Sequence, residues 1–147
     1  MKHRILLALA AAGLFAALPP AVAQTLNVVS AGDQNMVDYV NNYLGPKFEA
    51  MNPGVKVRAV GTGPGDAGSQ KIYEKLSAQQ KAGNATWDTD VAVVHQRGAA
   101  TMVNEKLLMP YRSDIAAGKL VSRDTAKNAL GANVDGYVLP MFHSQIA

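Results

Sequence analysis

Val55-Lys-Val-Arg-Ala-Val60, then Gly61-Thr-Gly-Pro-Gly-Asp-Ala-Gly68, then the run opening at Ser69 form the passage of the 147-residue chain whose reading decides the fold. Val55 to Ala59 alternate apolar and polar side chains, the period-two pattern of a strand with one buried face. A glycine-rich loop follows. Ser69 suits a helix cap, and Ile72 and Leu76 are spaced as on one face of a helix that closes at Ala82-Gly83-Asn84. Asp90-Val-Ala-Val-Val94 comes next, a nearly unbroken apolar run of the kind found in strands covered on both faces.

Upstream, Leu26-Asn-Val-Val-Ser30 reads as an earlier strand, ended by Ala31-Gly32-Asp33, with Asp33 placed to cap a helix. That helix sets Met36, Val40, Tyr43-Leu44 and Phe48 at three-to-four-residue spacing. Pro46 is expected to kink or split it, and Asn52-Pro53-Gly54 to stop it. Downstream, a helix is expected around Gly98 to Glu105, followed by Leu107-Leu-Met-Pro110. Ser113 and Ser122 suit caps of short helices, Asp135-Gly136 a turn, and Tyr137-Val-Leu-Pro140 the start of another strand. Strand, helix, strand, helix, strand implies right-handed crossovers: an α/β domain with a mostly parallel sheet and helices on both faces.

The N-terminus is read as a signal peptide. Lys2, His3 and Arg4 form a basic start, and Ile5 to Leu18 are fourteen uncharged residues. Pro19-Pro20 breaks the run before Ala21-Val22-Ala23, a small-x-small cleavage pattern. The run is shorter than the ~20 residues that span a bilayer. Cleavage is expected between Ala23 and Gln24. No Cys follows to carry a lipid, so a periplasmic protein that is not a lipoprotein is expected. Removing Lys2 and Arg4 leaves 12 basic against 11 acidic residues, a net charge of +1. The remaining basic side chains, among them Lys47, Lys56, Arg58, Lys71, Lys75, Lys81, Arg97, Lys106 and Arg112, are scattered among acids, which is no nucleic-acid footprint. The absence of Cys excludes disulfides and cysteine metal sites. Residues 24–139 are read as one α/β lobe segment. Gly136 to Ala147 is an apolar stretch without a polar tail, so Ala147 is read as a truncation point within a longer protein.

In such sheets ligands bind beyond the carboxyl ends of the strands. That rule selects Ser30 to Asn35, Thr62 to Ser69, His95 to Arg97 and Met141 to Gln145, all rich in hydroxyl, amide or imidazole groups. The candidate ligand-binding residues are Ser30, Gly32, Asp33, Thr62, Gly63, Gly65, Asp66, Ser69, His95, Gln96, His143 and Ser144. Gly63-Pro-Gly-Asp-Ala-Gly68 has the letters of a dinucleotide loop. The ribose-binding acid it requires should end the following strand, where the chain instead reads Val94-His95-Gln96. A polar or anionic ligand facing the loop and the helix N-terminus is one alternative, and a plain connecting loop is the other. His95 and His143, 48 residues apart with no carboxylate at fixed spacing, do not make a metal site. His143 and Ser144, as neighbours on a strand, point to opposite faces and form no catalytic pair. Nor is there a nucleophile elbow. Trp87 and Tyr137 suit core or hinge packing better than ligand stacking.

Several ordered features resemble the extracellular solute-binding proteins of ABC importers. Phe48-Glu-Ala-Met-Asn-Pro-Gly-Val-Lys-Val57 is similar to that family's helix-to-strand junction. Leu76-Ser-Ala-Gln-Gln-Lys-Ala-Gly83 followed by Trp87-Asp-Thr-Asp-Val91 is similar to its second helix and third strand. Leu107-Leu-Met-Pro-Tyr111 looks like its characteristic turn, and Gly136-Tyr-Val-Leu-Pro140 like the entry to its first interlobe crossing. The resemblance implies the first lobe of a two-lobed periplasmic-binding-protein-like fold, truncated, with residues 140–147 beginning the crossing and the second lobe absent. It also implies a non-enzymatic binder, monomeric when full length, that captures a small polar solute without a cofactor and delivers it to a membrane permease. The acidic cluster typical of polyamine binders is missing, so the solute's charge stays open. A periplasmic enzyme on an α/β scaffold and the sensing domain of a receptor are the rival classes.

Overall fold

The computed structural model describes residues 23–111, 136–139 and 141. Its sheet has three parallel strands in the order β2-β1-β3, formed by β1 (Gln24–Ser30), β2 (Val55–Gly61) and β3 (Val91–Val93). Ser30 stands opposite Gly61 on one side and Val93 on the other, so all three strands end at one level.

Side-chain alternation along β1 divides the core in two. Val28 faces one side and packs with Val37, Val40 and Ala59. Val29 and Ala31 face the other and pack with Ile72, Leu76, Met102 and Leu107. The first cluster is covered by α1 (Gln34–Tyr39) and the turn Val40–Leu44 that leads into α2 (Gly45–Met51), and the second by α3 (Gly65–Lys81) and α4 (Gln96–Asn104). Helices thus lie on both faces of a parallel sheet, the architecture expected from the alternating pattern. Trp87 packs against the second cluster, as expected of a core residue.

Pro46 does split the first helix. Val40–Leu44 forms a π-helical turn between α1 and α2, in which the Gly45 N–H donates to the Val40 carbonyl. Proline has no N–H to offer the preceding turn, and its ring crowds that turn's carbonyl, so the helix widens just before it. Widening rotates the residues that follow. Phe48, after the turn, is exposed; before it the buried stripe is Val37, Val40 and Leu44 rather than the expected Met36, Val40 and Tyr43-Leu44, and Tyr43 is exposed. Tyr43 instead stacks on Tyr39 with ring centroids 5.2 Å apart, and the Lys47 ammonium lies over its ring, 4.1 Å from the centroid.

Two further expectations change. β3 is shorter than the expected Asp90 to Val94 and Val91 is exposed, but Ala92 packs against one core cluster and Val93 against the other, so the strand is covered on both faces as expected. Asp90 lies outside β3 but extends its ladder: its N–H donates to the Asn27 carbonyl, and its carboxylate accepts the Asn27 N–H at 2.7 Å. Tyr137 belongs to a turn with Gly136, and Val138 and Leu139 are irregular, so no strand starts at Tyr137. The turn itself is present, with Gly136 at φ +90°. The short helices expected after Ser113 and Ser122, and the signal segment 1–22, lie outside the described residues.

The outer edge of β2 is occupied by side chains. Asn41 accepts the Ala59 N–H at 2.8 Å and donates to the Ala59 carbonyl at 3.0 Å. Glu49 accepts the Val57 N–H at 2.8 Å with one oxygen and the Lys56 ammonium at 2.8 Å with the other. The Lys56 contact, then the Val57 N–H, holds the Glu49 carboxyl below the ordinary glutamate range. A lowered folded-state pKa contributes stability above the unfolded pKa and loses it as pH falls through the folded value. The Val57 amide is therefore expected to stay protected from hydrogen exchange at neutral pH and to lose protection on acidification below the usual glutamate pKa. Exchange corrected for its intrinsic pH dependence is the measurement. Protection that persists after Glu49 is protonated would show that the carboxylate is not what holds this edge.

Candidate functional site

The carboxyl ends of the three strands are tied together by backbone bonds. The Thr62 N–H donates to the Ser30 carbonyl at 2.9 Å, which carries the β1–β2 pairing past the end of β2. On the other side, the Ala31 N–H donates to the Val93 carbonyl at 2.8 Å. The segments following β1, β2 and β3 are thereby gathered at one end of the sheet, as parallel topology requires.

Within the first segment, Ser30 is 1% exposed, and its hydroxyl has no hydrogen-bond partner among the described residues. Gly32 is packed so closely that a Cβ there would lie 3.0 Å from the Met36 side chain. Asp33 occupies the N-cap position of α1 with extended backbone but makes no side-chain capping bond, so its exposed carboxylate is free of that duty.

The second segment is held from within. The Thr62 hydroxyl lies 2.9 Å from the Gly68 carbonyl and 3.3 Å from that of Ser30, and the Lys71 ammonium donates to the Thr62 carbonyl at 3.2 Å. Gly63 and Gly65 adopt φ of +95° and +72°, the left-handed region in which glycine carries no steric cost. This turn starts α3 at Gly65, with Pro64 at its N-cap. The helix begins four residues before Ser69, so Ser69 is no cap. It lies inside α3, 2% exposed. Proline, whose φ is preset, gives the loop a rigid entry to the helix that the serine did not announce.

In the third segment His95 is the N-cap of α4 and Gln96 its first residue, both exposed. The His95 N–H donates to the Ser69 hydroxyl at 3.0 Å, which joins this segment to α3. His143 and Ser144 lie outside the described residues.

A shallow cleft of about 160 Å³ runs between the first turns of α3 and α4, lined by Asp66, Gln70, Tyr73, Arg97 and Thr101 and floored by Ser69 and Gly98. Asp66 and Arg97 approach to 3.7 Å across it. Both side chains are largely solvated, so the pair contributes little to stability and leaves both charges accessible. The Tyr73 hydroxyl donates to the Glu105 carboxylate at 2.9 Å, and this contact, with partial desolvation, raises the phenol above the ordinary tyrosine range. Gln70 and Tyr73 lie outside the expected segments, and Arg97, although it ends one of them, was not among the candidate ligand-binding residues. The i, i+4, i+7 spacing of Asp66, Gln70 and Tyr73 could have marked one face of a helix starting at Gly65, but not of one starting at Ser69. Among the described residues, no group of three His, Asp or Glu side chains could hold a metal ion.

In parallel α/β units, segments gathered beyond the strand ends are where ligands usually bind. Residues 33–147 match the family of bacterial extracellular solute-binding proteins, and the chain belongs to that family. Its role is accordingly extracellular solute binding. Comparisons with curated proteins and with solved structures gave no match.

Proposed function

We propose that the protein is the periplasmic solute-capturing component of an ABC importer, processed after Ala23, which passes a small polar solute to a membrane permease. Its solute site is built from the segments that carry Ser30, Gly32, Asp33, Thr62, Gly63, Gly65, Asp66, Ser69, His95 and Gln96, joined by His143 and Ser144 from beyond the described residues. The gathering of the segments after β1, β2 and β3 is the observation that carries this reading, and membership of the family supports it. Gly63 and Gly65 let a ligand approach the backbone closely. Asp33, Asp66 and Arg97 present both signs of charge, which suits a solute bearing hydroxyls or mixed polar groups. Capture is accompanied by closure of a second lobe about the crossing near Pro140, a hinge motion.

Calorimetry of the full chain against maltose, glycerol 3-phosphate, putrescine and thiosulfate tests the proposal. One probe class should bind, and Asp66→Ala should weaken it about tenfold, the loss of one charge-assisted contact. Asp66→Ala binding as tightly as the wild type would remove the α3 segment from the site, and binding of none of the probes would count against solute capture of these classes.

A further inference from the structure

Among the described residues, the Ser69 hydroxyl bonds to two backbone groups. It accepts the His95 N–H at 3.0 Å and donates to the Gly65 carbonyl at 3.4 Å. These two residues belong to different site segments, one closing the glycine-rich loop after β2, the other leaving β3 for α4. A single buried hydroxyl therefore spans both. The two helices also pack tightly here. A Cβ on Gly98 would lie 2.9 Å from the Ser69 Cβ, nearer than carbon atoms pack, so serine opposite glycine sets the separation of the two helix starts. Alanine would fill much the same space but could not accept the His95 N–H, and a larger residue at either position would press the segments apart.

We infer that Ser69 is a positioning residue of the solute site: its hydroxyl holds the segment after β3 in register with the segment after β2, and it does so from behind, without touching the solute. The inference rests on the reading of these segments as the solute site, and it goes further by assigning Ser69 a role different from that of its neighbours. A hydrogen-bonded brace inside a packed contact fixes geometry in a way that loop residues exposed on one side cannot, and small displacements at a site lower affinity steeply.

The test uses the full chain with Ser69→Ala and, as a control, Ile72→Val, a buried substitution one turn along the same helix whose side chain faces the core. Hydrogen exchange at the His95 amide should accelerate about tenfold or more in Ser69→Ala, matching the loss of one buried acceptor, while the β1–β2 ladder amides keep their rates. In calorimetry against maltose, glycerol 3-phosphate, putrescine and thiosulfate, the probe that binds wild type should bind Ser69→Ala about tenfold more weakly. Ile72→Val should lose stability yet keep its affinity. Unchanged exchange at His95, or unchanged affinity in Ser69→Ala, overturns the inference. So does an equal loss of affinity in Ile72→Val, which would mean that lower stability alone weakens binding. If wild type takes up none of the four probes, the solute-site reading fails, and exchange at His95 still decides by itself whether Ser69 holds the two segments together.

Discussion

Gly68→Ala is expected to destabilise the protein by about 3 kcal/mol, the upper part of the range for forcing a group into filled space. Gly68 sits in the first turns of α3, where a Cβ would run into the Gly63 carbonyl and also lie 3.2 Å from the Ala31 Cα. Both obstacles are backbone, so no rotamer change relieves them. The loop after β2 would have to move away from the end of β1, breaking the contacts that Thr62 makes with Ser30 and Gly68. Gly65→Ala separates this effect from glycine chemistry in general. Gly65 has φ of +72° with open space where the Cβ would be, so its substitution meets only backbone strain, about 1–2 kcal/mol. Urea denaturation of the two variants should therefore rank Gly68→Ala as the more damaging. Equal midpoints for Gly68→Ala and wild type would mean that the glycine-rich loop does not fold back on α3 as described.

Met102→Ala should cost about 3 kcal/mol as well, by the opposite route of leaving space empty. Met102 is 0% exposed and lies in α4 against Ile72, Leu76 and Val29, where α3, α4 and the central strand meet. Deleting its side chain forfeits the transfer free energy of the buried atoms and leaves a cavity that three rigid elements cannot close. Met109, 80% exposed, supplies the contrast: Met109→Ala should change stability by less than about 0.5 kcal/mol. Denaturant midpoints measured with an unchanged m-value give the comparison directly. A Met102→Ala midpoint close to that of Met109→Ala would contradict the placement of α4 on the sheet.

Much of this architecture is written in local patterns. The alternation of Val55, Val57 and Ala59 with Lys56 and Arg58 marks β2, and Gly54 and Gly83 mark helix ends because only their backbones turn through positive φ at no cost. The convergence of the strand-end segments follows from parallel topology, which needs only the order of elements. Where sequence and structure part company, the deciding feature is either a contact distant in sequence or a local break in helix geometry. Ser69 resembles a cap until the His95 N–H, 26 residues away, is seen to take its hydroxyl. Phe48 looks like part of an apolar stripe until the π turn before Pro46 rotates it outward. Arg97 looks like one more scattered surface charge until two helix starts bring it to Asp66. The length of β3 depends on what pairs with it, a property no residue within it carries.

The side chains of Asn41 and Glu49 give the sheet a direction of growth. Where a bare edge would accept another strand, β2 presents Ala59 and Val57 amides already taken by helix side chains. Among the described residues β3 is the flank with no such cover. A sheet blocked at one end and open at the other behaves like a filament with one capped tip: additional strands, whether from the same polypeptide or from another copy, have one point of entry. Joining of two copies through β2 would first have to displace both side chains from these amides, so the protein resists that route to aggregation by the same contacts that fasten its first helix.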